Sequence, residues 1–301
     1  MADGDAIGSC LAMASCLESL GKETLILMEE KVPYIYTFMI GSSKIEIYDE
    51  NKSYDYQVCI VLDTGDTSRL GTRIDLFKGM RTYNIDHHIT NDSFADFNYI
   101  NTQACSTAEI VYDILKEDQR SLDFHIAQAL YVGIATDTGG FRYQNTSAKA
   151  FQIAAELCQY GISIETISDW VFERTNMNKL FLMKKAISNI SLYFDNKVAV
   201  IKLKKEDYDD VQVSDEDFEG LVNIAKNIEG VQVGIFIRER VRVSLVKASL
   251  RSNTDKIDVS KIAAKFGGGG HSRAAGIASE LQIEELLAGI LKTLESSFPN
   301  T

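Results

Sequence analysis

Carboxylate and imidazole side chains recur at the ends of predicted elements in the first half of this 301-residue chain. Asp3 and Asp5 precede the first predicted helix, and Asp63 directly follows the apolar run at 58–62. Asp86, His87 and His88 end the next apolar run, and Asp137 follows the segment ALYVGIAT. Because open α/β sheets bind ligands outside the carboxyl ends of their strands, we expect these side chains to meet in one cleft.

A divalent-cation site is the chemistry that this set of side chains favours. Carboxylates that converge repel one another unless cations lie between them. Oxygen-rich donor sets with an imidazole suit Mn²⁺ or Mg²⁺ better than Zn²⁺, which attracts thiolates and more imidazoles. A single Asp after a strand is more often a turn or cap residue, so the prediction depends on the whole ordered set. We predict two divalent cations, with Mn²⁺ favoured and Mg²⁺ as the alternative.

A second group of residues, near the C-terminus, has the chemistry of an anion site. The glycines at 267–270 permit a left-handed backbone and close approach, so their N–H groups can wrap an anion. His271 and Arg273 add side-chain donors beside them, and Arg251 can offer a bidentate fork to a phosphate. The alternative interpretation is a flexible loop between a helix and a strand. In the first half of the chain, Arg142 is a further candidate for substrate contact.

The elements that must position these groups alternate between strands and helices, which is typical of an α/β fold with a mostly parallel sheet. Strands are predicted at 24–28, 57–62 and 81–85 in the first half, and at 197–205, 231–239 and 241–250 in the second. Helices are predicted at 6–20, 105–117, 122–135, 146–160, 163–172, 176–190, 215–227 and 281–296.

The length of the chain predicts two domains, at about 150 residues each. We place an N-terminal domain, with a mostly parallel sheet flanked by helices, at 1–175 and a connecting helix at 176–190. A smaller domain with a mixed α/β fold follows at 191–301. A cleft is expected between the two domains. Residues 176–301 are close to neutral, with 18 Lys/Arg against 17 Asp/Glu, so the net charge of −12 comes from residues 1–175.

Composition and charge exclude several classes of protein. A membrane span needs about 18 consecutive apolar residues. No apolar run in this chain is that long, so a membrane protein is not expected. A net charge of −12 argues against a protein that grips long double-stranded DNA. Five cysteines without a C-x-x-C pair predict free thiols in a reducing cytoplasm. The sequence leaves a monomer and a homodimer open as oligomeric states.

Six short motifs carry a family resemblance. They are DGDAIGS (3–9), VLDTGD (61–66), NIDHH (84–88), ATDTGGFRYQNT (135–146), SLRS (249–252) and FGGGGHSRAAG (266–276). The first four resemble the signatures of the DHH phosphoesterase superfamily, and the last two resemble its DHHA1 substrate-binding domain. The whole layout is similar to the bifunctional oligoribonucleases and pAp phosphatases, the group called nanoRNases.

The resemblance implies a site with two divalent cations about 3.5–4 Å apart. Asp63 would bridge the two cations. Asp5, His87 and Asp137 would complete the ligands of one cation, and Asp3 would hold the other. A water between the cations would act as hydroxide and attack phosphorus in line.

The resemblance also implies roles for the other residues. His88 would contact the scissile phosphate or assist the leaving oxygen, and Asp86 would orient an imidazole. Ser106 and Thr107 either line the cleft or cap the helix predicted at 105–117. Substrate would be bound by Arg142 in the first domain and by Arg251, Ser252, Gly268, Gly269, Gly270, His271 and Arg273 in the second. A terminal phosphate held by the second domain would measure substrate length and favour very short oligonucleotides.

Three functions remain open at this point. The first is a two-metal phosphoesterase that hydrolyses very short oligoribonucleotides to 5′-mononucleotides and dephosphorylates pAp. The second is a phosphodiesterase for cyclic dinucleotides or pApA, and inorganic pyrophosphatase is a weaker rival of the same kind. The third is a catalytically impaired nucleotide-binding protein.

The impaired protein is considered because the first signature departs from the family pattern. That signature reads His-x-x-Pro-Asp-x-Asp after a buried strand, whereas here Ala2 precedes Asp3 and the sequence begins at Met1. One imidazole ligand and one strand near the middle of the sheet are therefore expected but not found in this sequence. A start codon placed too late, a trimmed sequence and a real loss of the site are the three explanations.

Overall fold

The computed structural model describes residues 2–240 and 245–298, and the chain divides into two units, Met1–Arg174 and Thr175–Thr301. Each unit buries an apolar core of its own, as expected of a domain. Within the described ranges, no helix combines the length and the apolar character needed to cross a membrane.

The first unit contains short parallel strands together with helices. Its strands are β1 (Leu27–Met28), β2 (Glu46–Ile47), β3 (Val58–Leu62), β4 (Arg81–Asp86) and β5 (Phe97–Ile100). Its α-helices are α1 (Gly4–Ser19), α2 (Thr107–Glu117), α3 (Phe124–Asp137), α4 (Ala148–Cys158) and α5 (Ile164–Ser168), and a π-helical turn at Asp169–Glu173 follows α5. Strand β1 pairs with β2, while β3, β4 and β5 form a separate parallel sheet in that order.

Helix α3 lies at the centre of the core of the first unit. Its residues Ala127, Leu130 and Ile134 are fully buried, because this helix is apolar on nearly all sides. Helix α1 packs closely against α3, since Gly8 leaves room for the neighbouring backbone: a Cβ at Gly8 would lie 2.3 Å from the carbonyl oxygen of Ala129. This close packing fixes the position of the first turn of α1.

The second unit is built on a mixed six-stranded sheet. Its strands are β6 (Ile190–Tyr193), β7 (Val198–Leu203), β8 (Val233–Glu239), β9 (Val246–Ser252), β10 (Gly269–His271) and β11 (Ala274–Ser279), in the order β10-β11-β9-β8-β7-β6. Only the β7–β8 pair in this sheet is parallel. Its helices are α6 (Met177–Ser188), α7 (Val222–Lys226), α8 (Val259–Ala264) and α9 (Ile283–Glu295).

Helices cover both faces of this sheet, so its central strands are buried on both sides. On β7, Val198 and Val200 belong to the core cluster that contains residues of α8 and α9. Ala199 and Ile201 alternate with them and belong to the cluster that contains residues of α6 and α7. The near-continuous apolar sequence of β7 follows from this two-sided burial.

The predicted fold class is confirmed: the protein is α/β, with a parallel sheet and helices in its N-terminal part and a mixed sheet in its C-terminal part. Some predicted boundaries were wrong. The strand predicted at 24–28 is limited to the two residues of β1, and the helix predicted at 163–172 changes to a π-helical turn after Ser168. The helix predicted at 215–227 is interrupted by Gly220, which has a left-handed φ of 80°.

Several strands of the structure are absent from the sequence prediction. Strands β10 and β11 consist largely of Gly and Ala, which have little intrinsic strand propensity, and they form because β9 provides a pairing edge. Strand β5 has only four residues. The strand predicted at 241–250 corresponds to β9 from Val246 onward, and residues 241–244 lie outside the described residues.

Candidate active site

Asp5 lies in the first turn of α1 and is almost completely buried, with 1% of its surface exposed. Its carboxylate accepts the N–H groups of Thr107 (2.6 Å) and Ala108 (2.8 Å), which begin helix α2. The hydroxyl of Ser9 also donates to it (3.3 Å). The N–H groups at the start of a helix stabilise negative charge, so α2 binds the Asp5 side chain in a fixed orientation.

Asp63 follows β3 directly and has a left-handed backbone, with φ of 57°. Its N–H donates to the carbonyl of Ile85 on the neighbouring strand (3.1 Å). The hydroxyl of Thr107 donates to its carboxylate (3.0 Å). A non-glycine residue with positive φ is uncommon and is often found at functional sites.

His87 lies at the centre of three aspartates from three segments of the chain. Its Nε2 is 3.4 Å from Oδ2 of Asp137, 3.6 Å from Oδ1 of Asp63 and 4.0 Å from Oδ2 of Asp5. Asp137 is the last residue of α3. The sequence predicted that this helix ends at residue 135, whereas the observed helix includes Asp137. The predicted convergence of strand-end and helix-end groups therefore takes place around one imidazole.

Asp86 and His88 form a hydrogen-bonded pair beside this cluster. Nδ1 of His88 lies 2.7 Å from Oδ1 of Asp86, and the fully buried Asp86 also accepts from the amide of Asn91 (2.6 Å). Burial alone would raise the pKa of Asp86, but the hydrogen bonds from His88 and Asn91 lower it. The hydrogen bond with Asp86 raises the pKa of His88 above its ordinary value.

The buried carboxyl groups favour protonation or a bound cation. Burial, and then the charges of Asp63 and Asp137, hold the pKa of Asp5 well above its ordinary value. Burial, followed by Asp3, raises the pKa of Asp63 to about 7 and that of Asp137 to about 7. Burial lowers the pKa of His87, which therefore tends to be the neutral form that binds metals.

Two groups of donors in the described part of the chain fit a divalent cation. Asp63, His87 and His88 form one group, and Asp5, His87 and Asp137 form the other; within each group the ligand atoms lie within 4.8 Å of one another. Carboxylate oxygens with one or two imidazoles suit Mn²⁺ and Mg²⁺. The raised pKa values of Asp5, Asp63 and Asp137 reflect in part the repulsion that such a cation would remove.

Asp3 and Arg142, which were also predicted to act at this site, have partners within their own segments. Asp3 is exposed and is the N-cap of α1, and its Oδ1 accepts the N–H groups of Asp5 (3.2 Å) and Ala6 (3.1 Å). The guanidinium of Arg142, also exposed, donates to the carbonyl of Gly139 (2.6 Å) in the loop after α3. Each side chain therefore has a local structural role.

In the second unit, the strand register brings Arg251 and His271 to one face of the sheet. Ala274 on β11 is opposite Arg251 on β9 and opposite His271 on β10. Residues directly opposite each other in antiparallel strands point to the same face, and the small side chain of Ala274 leaves space between the two larger ones. This row is the arrangement in the second unit that best suits an anion.

The other predicted substrate residues of this unit have different surroundings. Ser252 is buried, and its hydroxyl donates to the carbonyl of Thr254 (2.8 Å). Arg273 donates to the carboxylate of Asp255 (2.6 and 3.1 Å), so its charge is paired. Ser252 follows Arg251 on β9 and therefore points to the opposite face of the sheet.

The last two glycines of the run belong to a strand, whereas the sequence predicted a backbone that wraps an anion. Gly269 and Gly270 lie on β10, opposite Gly276 and Ala275 of β11. A Cβ at Gly268 would lie 2.2 Å from the carbonyl oxygen of Gly276. Gly270 has φ of 139° and would bring a Cβ within 2.7 Å of the Cα of Ala275. Close packing against β11, in addition to conformational freedom, explains why these positions are glycine.

Sequence reasoning missed Asn91 and left the role of Thr107 open. Asn91 lies in the turn after His88 and contacts Asp86, whereas Thr107 contacts both Asp5 and Asp63. An Asn in a turn is too common to indicate a role. The family resemblance suggested that Ser106 and Thr107 line the cleft, but helix capping explained both residues equally well.

Comparisons with known proteins agree with these observations. Residues 1–134 match the family described as DHH family, N-terminal domain, and residues 195–298 match the DHHA1 domain. The bifunctional oligoribonuclease and PAP phosphatase NrnA of Thermus thermophilus is 31% identical, over 91% of this chain and 80% of that protein. The protein of the same name from Bacillus subtilis is 28% identical, over 91% and 85%.

A solved structure has the same fold over nearly the whole chain. It is an exopolyphosphatase-related protein from Bacteroides fragilis, 30% identical, with a TM-score of 0.93. The match covers 99% of this chain and 90% of that protein. Sequence and structural similarity thus extend through both units.

Proposed function

Because the chain belongs to the DHH family of phosphoester hydrolases, we propose that it releases 5′-mononucleotides from very short oligoribonucleotides and removes the 3′-phosphate from pAp. The observation that carries the proposal is the convergence of Asp5, Asp63 and Asp137 around His87. The names of the Thermus thermophilus and Bacillus subtilis relatives support this choice of substrates.

The four converging side chains, together with Asp3, are the residues that would hold two divalent cations, and we propose Mn²⁺ before Mg²⁺. Such ions, when bound, lower the pKa of water and stabilise charge on phosphoryl oxygens. Asp63 belongs to the first donor group, and its Oδ1 is 3.6 Å from Nε2 of His87, the residue that both groups share. We therefore propose Asp63 as the ligand shared by the two cations.

His88 and Asp86 would handle the proton of the reaction. Nδ1 of His88 faces Oδ1 of Asp86 at 2.7 Å, so Nε2 is the nitrogen that would exchange a proton with the leaving oxygen. The raised pKa of His88 keeps a proton on the ring at higher pH than an ordinary histidine does, as a general acid requires. Asp86 is a positioning residue, because it acts through His88.

In the second unit, we propose that Arg251 and His271 contact a phosphate of the substrate. The register places them on one face, on either side of Ala274. A guanidinium and an imidazole offer several N–H donors to the terminal phosphate of a short oligonucleotide or of pAp. The glycines at 268–270 would serve this site by letting β10 approach β11 closely.

The test is release of mononucleotide from a 5′-labelled RNA dinucleotide, with pAp in parallel, in the presence of Mn²⁺. We expect turnover of both substrates in the wild type. Asp63→Asn should reduce kcat at least about 100-fold, since a neutral amide is a poor ligand for hard cations. Asp66→Asn, in the same segment, is the matched control and should keep wild-type turnover, because Asp66 caps the following turn through Ser68.

Additional substrates distinguish the alternatives. Cyclic di-AMP and linear pApA test the cyclic-dinucleotide phosphodiesterase. Polyphosphate tests the activity after which the related Bacteroides fragilis protein is described. Faster turnover of any of these than of the RNA dinucleotide would replace the proposed substrates. Tight binding of pAp without metal dependence or turnover would instead favour the impaired nucleotide-binding protein.

A further inference from the structure

Asn91 joins three positions of the active site through one side-chain amide. Its NH₂ group lies 3.2 Å from the carbonyl oxygen of Thr64, 2.8 Å from the side-chain oxygen of Asn84 and 2.6 Å from Oδ2 of Asp86. The backbone N–H of Asn91 donates to the carbonyl of His88 (3.2 Å) and closes the turn after β4. One amide therefore connects the segment after β3 with two positions of β4.

The neighbours of Asn91 fix which end of its amide faces Asp86. Oδ1 of Asn91 accepts the N–H of Ser93 (2.8 Å), which has a left-handed φ of 56°. The NH₂ of Asn84 donates to backbone carbonyls after and within β3, so the oxygen of Asn84 is directed to Asn91. A flipped Asn91 would place its oxygen against that oxygen and against a carboxylate, which repel it.

The orientation of Asn91 determines what Asp86 can do. Asp86 has no exposed surface, and its Oδ2 accepts from Asn91, whereas its Oδ1 faces Nδ1 of His88 at 2.7 Å. We propose that Asn91 is a positioning residue that holds the carboxylate of Asp86 and thereby keeps the proton of His88 on Nδ1. The effect expected on kcat rests on the proposed hydrolysis, whereas the effect expected on the tautomer of His88 does not.

A strand residue that supports the loop containing Asn91 provides a matched control. Asn98, on β5, donates to the carbonyls of Ser93 (3.2 Å) and Ala95 (2.8 Å) and accepts the N–H of Ala95. It therefore supports the same loop as Asn91, through partners other than Asp86. Asn98→Ala separates loss of loop stability from loss of orientation.

The tautomer of His88 can be measured directly, because the chain has only four histidines. We would record two-bond ¹H–¹⁵N correlations of the imidazoles in the metal-free, full-length protein from about pH 9 upward, until the spectrum of His88 is that of a neutral ring. His88→Gln assigns the signals of interest. We expect the proton on Nδ1 in the wild type and in Asn98→Ala. Asn91→Ala should shift the ring of His88 toward the Nε2–H form. The isosteric Asn91→Asp should shift it further.

Kinetics with the RNA dinucleotide provide the second measurement. We expect kcat to fall about 10- to 100-fold in both Asn91 variants, as is typical for residues that orient catalytic groups, with KM changed less than about threefold. Asn98→Ala should keep the wild-type kcat. If Asn91→Asp does not fold, Asn91→Ala and the wild-type tautomer remain as tests.

The outcomes separate this inference from the proposed function. An Nε2–H tautomer in the wild type, or an unchanged tautomer in both Asn91 variants, overturns the positioning role. A tautomer that shifts as expected in a protein without any turnover supports the positioning role and refutes the proposed hydrolysis. An equal loss of kcat in Asn98→Ala would show that loop stability, and not orientation, is responsible.

Discussion

The acidic cluster should make the metal-free protein less stable as the pH rises. Burial, and then the charge of Asp3, raise the pKa of Asp63 and of Asp137 to about 7, from an ordinary value of 3.8. Between these pH values, the folded protein binds more protons than the unfolded chain. The free energy of unfolding therefore falls as the pH rises through this window, and the loss is complete above about pH 7.

The magnitude follows from the size of the pKa changes. Each proton bound only by the folded state changes the free energy of unfolding by about 1.4 kcal/mol per pH unit. One aspartate moved from 3.8 to about 7 thus costs the folded state about 4 kcal/mol when ionised. Asp63 and Asp137 interact, so their costs do not add in full. His88 acts in the same direction because its pKa is raised, whereas the lowered pKa of His87 opposes it.

Urea denaturation from about pH 5.5 to pH 8, in EDTA and in Mn²⁺, measures this effect. In EDTA, the free energy of unfolding should fall by about 1.4 kcal/mol per pH unit or more near pH 6. We expect Mn²⁺ to bind the ionised carboxylates, so its stabilising effect should grow with pH. Asp63→Asn should be more stable than the wild type at pH 8 in EDTA, with a shallower pH dependence. Asn suits the left-handed backbone of Asp63, so the substitution adds no strain there.

Asp66→Asn provides the control for the denaturation series. The hydrogen bond with Ser68 lowers the pKa of Asp66, so this group does not titrate in the measured range. The pH dependence of the variant should equal that of the wild type. A metal-free protein whose stability rises from pH 5.5 to pH 8 would refute the raised pKa values. Equal pH slopes for Asp63→Asn and the wild type would refute the assignment of the effect to Asp63.

Three further predictions concern packing and thiol chemistry. Gly8→Ala should lower the free energy of unfolding by about 1–3 kcal/mol in urea, since its Cβ would lie 2.3 Å from a carbonyl oxygen of α3. Gly270→Ala should lower Tm more than Gly269→Ala does, because a Cβ at Gly269 meets no atom within 4 Å. In the folded protein, maleimide should label the exposed Cys158 well before Cys10, whose pKa is raised to about 12, chiefly by burial.

The sequence predicted the acidic cluster well because strand-end positions constrain it. Asp63 and His87 follow two short apolar runs, and parallel pairing of β3 with β4 necessarily brings the ends of such runs together. The pattern of strand ends therefore indicated that Asp63 and His87 converge. It could not indicate that His87, and not an aspartate, would occupy the centre, because that depends on side-chain directions.

The parts of the structure that the sequence did not predict depend on strand pairing or on the conformation of a turn. Strand β10 exists because β11 lies between it and β9, and no local propensity favours a strand of Gly-Gly-His. The contact of Asn91 with Asp86 requires a turn closed by a hydrogen bond to His88. The first interaction joins strands whose pairing composition does not reveal, and the second depends on the conformation of a turn that the sequence does not specify.

The start of α2 shows how helix capping and the acidic site depend on each other. Ser106 caps the helix, since its hydroxyl accepts the N–H of Glu109 (3.1 Å). This cap leaves the N–H of Thr107 to donate to Asp5 (2.6 Å), while the hydroxyl of Thr107 donates to Asp63 (3.0 Å). Ser106 thus caps the helix, whereas Thr107 contacts the acidic cluster. Because one helix end contacts carboxylates from two distant segments, the first turn of α2 fixes Asp5 and Asp63 relative to each other.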